Sequence, residues 1–137
     1  MAIKAVDVLQ MSRNGVEHGT RVLNGPHFQS WFNVYKPGRR GKMHCHNADE
    51  TLCVLEGELT VHAPDGTKQV AGPGTVVLIT GGSFYELENS GSGKLVFVGH
   101  NSKPTETMTS VDYGSRQRRD GAESGRQAPP RFTTILV

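Results

Sequence analysis

Short segments rich in β-branched and aromatic residues follow one another through the middle of the chain, and Gly, Pro or Asn interrupts them. Examples are WFNVYKPG, GPGTVVLITGG and KLVFVGH, which begin at residues 31, 72 and 94. These segments show no helical periodicity, so each is interpreted as a strand. APDGT at residues 63–67 and GPG at residues 72–74 are typical turn sequences. Many short strands joined by tight turns predict an all-β sandwich or barrel.

Length and charge narrow the possibilities further. A chain of 137 residues is expected to form a single domain. The net charge of +2 lies entirely in residues 112–137, and the neutral remainder argues against nucleic acid as the main partner. No apolar run approaches the ~20 residues of a membrane helix, and no signal peptide is recognisable. We therefore expect a cytoplasmic protein without a membrane partner, in which Cys45 and Cys53 are reduced thiols.

The two ends of the chain differ from its middle. Residues 1–111 are assigned to the β-barrel, and residues 112–137 to a polar, Gly-rich and flexible tail. That tail ends in the strand-like run RFTTILV, and residues 3–11, IKAVDVLQM, also have strand-like composition. Either run is free to add to a sheet edge, and edge pairing between subunits is a common solution for open sheets. The sequence therefore predicts a homodimer.

Two histidines stand one residue apart in GRRGKMHCHNADE, residues 38–50. In a strand, His44 and His46 project from one face while Cys45 points away. A reversal at residues 47–49 would form a hairpin and bring Glu50 beside the imidazoles. Two imidazoles and a carboxylate on one side of a cation leave its other side open. Non-haem Fe(II) favours this arrangement, and Mn, Ni, Co and Zn can also adopt it.

The spacing of these residues resembles the first motif of the cupin family. That motif consists of Gly, five residues, His-x-His, three residues, Glu, six residues and Gly, and it is matched by Gly38, His44, His46, Glu50 and Gly57. The resemblance implies a jelly-roll β-barrel with a metal in its mouth.

Residues 74–89, GTVVLITGGSFYELEN, resemble the second cupin motif, in which Gly74, Gly82 and Asn89 match. Thr80 stands where proline is usual, and Tyr85 replaces the expected third metal-binding histidine. A neutral tyrosine is a poor ligand for a divalent ion, whereas a phenolate binds ferric iron. The resemblance thus implies metal ligation by His44, His46 and Glu50, with Tyr85 as a weak ligand or a nearby proton donor. Alternatively, the metal has been lost and the pocket only binds a ligand.

The resemblance leads to a functional hypothesis: a metal-dependent oxygenase, most simply with Fe(II), that acts on a small organic molecule with Tyr85 as a catalytic residue. Metal-dependent isomerases, lyases or decarboxylases are a second possibility, and a non-catalytic binding protein is a third. Lys42 has the same strand parity as His44 and is a candidate for contact with an anionic substrate. Further residues expected to face inwards, as pocket walls or as plain core, are Trp31, Tyr35, Leu87, Asn89 and Phe97.

Overall fold

The structure, a computed structural model, describes residues 3–17 and 20–119. Within these residues the chain is mostly β-structure, as the sequence predicts, and it also contains one short helix that the sequence analysis did not predict. The elements are α1 (Val8–Arg13), β1 (Thr20–Asn24), β2 (Gln29–Tyr35), β3 (His44–His46), β4 (Glu50–Glu56), β5 (Leu59–His62), β6 (Lys68–Ala71), β7 (Val76–Ile79), β8 (Glu86–Asn89), β9 (Leu95–Asn101) and β10 (Ser110–Asp112).

Two antiparallel layers enclose the core. The first is a five-stranded sheet in the order β1-β2-β9-β4-β7. The second consists of the sheet β6-β5-β8 and the strand pair β10-β3. An antiparallel bridge between His44 of β3 and Tyr85, the residue before β8, connects the pair to the sheet. Apolar side chains from both layers meet between them, including the fully buried Leu52, Leu59 and Phe97. This is the expected jelly-roll arrangement in a single domain.

The N-terminal segment is partly helical, so the prediction of a strand over residues 3–11 is wrong. Asp7 caps α1 by accepting a hydrogen bond from the backbone N–H of Gln10 at 2.9 Å. Val8, Leu9 and Met11 pack against buried side chains on the outer face of the five-stranded sheet. Tertiary burial of one apolar side has therefore overridden the strand propensity of this segment.

The two motif strands do not form the hairpin that was expected for residues 44–56. In the described part of the chain, β3 pairs with β10 and with Tyr85, whereas β4 pairs with β7 and β9. The connection at residues 47–49 therefore crosses from one layer to the other. Glu50 nevertheless faces the interior, at 2% exposure, because side chains alternate along β4 as predicted.

The turns agree with the sequence. Ala63 and Thr67 close the β5-β6 hairpin with a backbone hydrogen bond of 2.9 Å, and the N–H of Thr75 bonds the carbonyl of Gly72 at 3.0 Å. Gly57 has a φ of 86°, and a Cβ there would lie 2.4 Å from the carbonyl oxygen of Lys94. The glycine that ends the first motif is thus required by both backbone conformation and space.

The boundary proposed after Val111 falls inside β10. Beyond this strand the chain turns back, and Val111 forms an antiparallel bridge with Arg118. Residues 120–137, including the strand-like run at the end of the tail, lie outside the described residues. No helix in the described part of the chain is long and apolar enough to cross a membrane.

Candidate functional site

Strand pairing places Tyr85, His44 and Asp112 in one row across the second layer. His44 and Tyr85 exchange backbone hydrogen bonds of 3.0 and 2.9 Å, and Asp112 lies opposite His44 on β10. Opposed residues of antiparallel strands project from the same face. The next row contains His46 and Ser110. The predicted residues His44, His46 and Tyr85 are therefore brought together on the inner face.

The three rings form a close cluster. The centroids of His44 and His46 are 4.9 Å apart, and Tyr85 lies 4.7 Å from His44 and 6.3 Å from His46. Each imidazole is anchored through Nδ1, His44 to the carbonyl of Lys42 at 2.8 Å and His46 to that of Thr109 at 3.3 Å. A carbonyl oxygen only accepts, so both Nδ1 atoms carry the proton in these bonds.

Electrostatics keep both imidazoles neutral near pH 7. The pKa of His44 is lowered to about 4, chiefly by burial and to a smaller extent by the neighbouring His46, while the hydrogen bond to the Lys42 carbonyl opposes the shift. Burial also lowers the pKa of His46, against the opposing charge of Glu50. A neutral imidazole with its proton on Nδ1 leaves the Nε2 lone pair available. This tautomer, held by a backbone carbonyl, is the one found in metal-ligating histidines.

Glu50 enters the interior from the opposite layer. Its Oε2 accepts a hydrogen bond of 2.7 Å from Nδ2 of Asn101, whereas Oε1 is buried without a hydrogen-bond partner among the described residues. Burial raises the pKa of Tyr85 well above 10, and the negative charge of the Glu50 carboxylate raises it further. The phenol therefore stays protonated, and it lies close to the carboxylate.

Asn101 and Gln29 were not identified from the sequence, although they complete the surroundings of Glu50. Both lie in register with Glu50 across β2, β9 and β4. Oδ1 of Asn101 accepts from Nε1 of Trp31 at 2.6 Å and from Nε2 of Gln29 at 3.3 Å. Asn101 has the same strand parity as Phe97, which was expected to face inwards, so parity along β9 was the available signal.

The predicted ligands do not form a ready metal site as they stand. In the described ranges, no three His, Cys, Asp or Glu side chains are arranged so that they could hold an ion. The donor chemistry nevertheless fits a divalent cation, since two neutral imidazoles lie together and a buried carboxylate oxygen lacks a partner. Residues that would hold the ion are His44, His46 and Glu50, with Tyr85 beside them.

A cavity of about 570 Å³ lies between β5, β6, β7 and Tyr85. Val61, Val77 and Phe84 contribute to its wall. Tyr85 is the one predicted site residue that lines this cavity, and it also contacts the imidazoles. Tyr85 therefore connects the cavity wall with the imidazole pair.

The remaining inner-face residues have separate roles. Phe97 is fully buried and packs edge to face with Trp31 and Tyr35, so it belongs to the core. Asn89 is 1% exposed, and its side chain donates to the carbonyls of Tyr35 and Gly93 at 2.9 Å each. It therefore stabilises loops. Lys42 is exposed.

Comparison with known proteins identifies the fold family. The model of the cupin domain matches residues 31–99, which include both motifs and the whole ring cluster. The chain belongs to the cupin family. Among curated proteins, no match to this cupin was found.

Several solved structures share the fold. A double-stranded β-helix protein from Klebsiella pneumoniae is 22% identical, with a TM-score of 0.61 over 69% of this chain and 84% of that one. A protein from Thermus thermophilus is 18% identical, with a TM-score of 0.65 over 74% and 98%. An RmlC-like cupin from Methanocaldococcus jannaschii is 21% identical, with a TM-score of 0.58 over 66% and 84%. At these identities the similarity concerns the fold alone.

Proposed function

We propose that this cupin is a metal-dependent enzyme that acts on a small organic molecule, with oxygenation as its reaction class. The observation that carries the proposal is the buried Oε1 of Glu50, which has no hydrogen-bond partner in the described part of the chain. A buried polar atom without a partner costs about 1–3 kcal/mol of desolvation, and more when the group is charged. A bound cation would supply the missing partner.

The imidazoles support the same proposal. Both hold their protons on Nδ1 through backbone carbonyls, so Nε2 of His44 and of His46 are available as ligands. Two imidazoles and one carboxylate are the donor set of non-haem Fe(II) oxygenases. A bound divalent ion would supply Lewis acidity and, as Fe(II), electrons for O2.

Tyr85 would act on the substrate from the cavity side. Its raised pKa keeps the hydroxyl protonated at neutral pH, so it can donate a hydrogen bond to an oxygen on which negative charge develops. Such a donor suits an oxygenase and also suits an isomerase, lyase or decarboxylase that stabilises an enolate.

A second candidate function is ligand binding without metal. It is favoured by the lack of any metal-competent group of three His, Cys, Asp or Glu side chains within residues 3–17 and 20–119. In this case Tyr85 and the polar residues around Glu50 would recognise the ligand by hydrogen bonds alone.

Metal analysis separates the two candidates. We expect the protein loaded with Fe(II), Mn(II) or Zn(II) to retain one ion after desalting, and His44→Ala or His46→Ala to lose most of it. His27→Ala, which changes an exposed loop histidine, is the matched control and should retain the ion. Retention of metal by both site variants, or no retention by the unmodified protein, would refute the metal centre.

Oxygen uptake then tests the reaction class. The Fe(II) form is screened against diketones, catechols and hydroxy acids in an oxygen electrode, with His44→Ala as the inactive control. Uptake that depends on both Fe(II) and substrate is the result expected for an oxygenase. Substrate conversion without O2 consumption would instead identify the isomerase, lyase or decarboxylase class.

A further inference from the structure

The segment after β10 runs back along β10 and extends the layer that carries the histidines. Backbone N–H groups of Asp112 and Arg119 bond the carbonyls of Gln117 and Ser110 at 2.9 and 2.8 Å. Ser110 in turn lies opposite His46 on β3. The order across the layer is therefore the Tyr85 segment, β3, β10 and residues 117–119.

This register determines the direction of the Arg119 side chain. Because opposed residues of antiparallel strands share a face, Arg119 projects from the same face as Ser110 and His46. Its Nε lies 3.8 Å from Oδ1 of Asp112, which stands opposite His44, and 24% of its side chain is exposed. The guanidinium therefore belongs to the inner face that also carries the imidazole pair, on the strand side opposite to the Tyr85 segment.

The return turn is tied to the other edge of the site. The Arg116 guanidinium stacks over the rings of Phe84 and Tyr113, at 5.0 and 4.4 Å from their centroids, and these two rings contact each other at 5.0 Å. Phe84 immediately precedes Tyr85. The stack therefore fixes the segment that carries Arg119 relative to the phenol.

The charge of Arg119 reaches the whole inner cluster. Burial dominates the shifted pKa values of four rings there, and the positive charge of Arg119 lowers the pKa of each, by disfavouring the imidazolium form of the histidines and favouring the phenolate form of the tyrosines. The four are Tyr35, His44, His46 and Tyr85. Arg119 lies outside residues 31–99, the part matched by the cupin model.

We propose that Arg119 is the substrate-specificity residue of this site and that it binds the carboxylate of a small organic acid. A guanidinium presents five N–H donors in a planar fork, a geometry that matches a carboxylate. It would also offset the repulsion between an anionic substrate and Glu50. The substrate would then extend from Arg119 across His44 and His46 towards Tyr85. This inference deepens the proposed function and rests on the same site.

The test uses pairs of probes that differ in charge but little in shape, namely glycolate with glycolamide and salicylate with salicylamide. Binding to the full chain is measured by calorimetry, with and without Fe(II) or Zn(II). The acids should bind more tightly than the amides. Arg119→Gln should weaken acid binding by about ten- to a hundredfold, the range of a charge-assisted hydrogen bond, and leave amide binding unchanged.

Arg118→Gln is the matched control, since Arg118 is exposed and opposes Val111 on the other face of the same segment. It should leave acid binding unchanged. Arg119→Lys keeps the charge but not the planar fork, so its affinity for the acids should lie between those of the unmodified protein and Arg119→Gln. A thermal melt of each variant reports whether the protein still folds. Equal binding of acids and amides, no binding of either acid, or an Arg119→Gln protein that folds and binds acids normally would overturn the proposal. Metal retention by Arg119→Gln, measured separately, keeps this result distinct from failure of the metal centre.

Discussion

Replacing Asn101 with alanine should strongly destabilise the protein. Asn101 is 2% exposed and joins β2, β9 and β4 through side-chain bonds to Glu50, Trp31 and Gln29. Loss of the bond to the charged carboxylate costs about 1.5–3 kcal/mol, and the indole N–H left without a partner costs about 1–3 kcal/mol. We expect the free energy of unfolding to fall by about 3–5 kcal/mol in total, a large part of a typical stability of 5–15 kcal/mol.

Urea unfolding of the metal-free protein measures this loss. Asn24→Ala is the control, because Asn24 is an exposed strand residue whose replacement should cost no more than about 0.5 kcal/mol. A double-mutant cycle with Glu50→Gln isolates the interaction energy between Asn101 and Glu50. For residues in direct contact this energy is about 0.5–3 kcal/mol. A loss below about 1 kcal/mol in Asn101→Ala would refute the view that this network stabilises the interior.

Three further predictions concern the same region. The pKa of His44 is lowered from 6.5 to about 4, so the unfolded state binds more protons between these values. The free energy of unfolding of the metal-free protein should therefore fall by up to about 3 kcal/mol as the pH falls from 6.5 to about 4. Urea unfolding of His44→Gln over the same pH range should show a smaller fall. If the two proteins have the same pH dependence, the lowered pKa of His44 is not the cause. Tyr85→Phe should retain metal by mass spectrometry and lose turnover, whereas metal loss would make Tyr85 a ligand. The predicted homodimer is tested by light scattering on the intact chain and on a chain ending at Arg119: a monomeric intact chain would reject the dimer, and a truncated chain that stays dimeric would exclude a role for residues 120–137.

Local patterns in the sequence determined which residues face inwards. The two-residue period of a strand placed His44 and His46 on one face, and it did the same for Tyr85, Leu87 and Asn89. Turn sequences located the β5-β6 connection, and the motif spacing indicated the cupin barrel. These features depend on neighbours along the chain, which is why they are readable from one sequence.

Tertiary structure alone decided which strands became neighbours. The chain from Asn47 to Asp49 could close a hairpin or cross between layers, and the crossing prevails because β3 and β4 each find partners on the opposite sides of the core. The bond between Asn101 and Glu50 spans 51 positions. Arg119 reaches the histidines only because β10 pairs with β3 and the chain then turns back. Pairing between strands far apart in the sequence depends on burial and on the satisfaction of backbone hydrogen bonds across the whole barrel. Neither can be predicted from a short stretch of sequence.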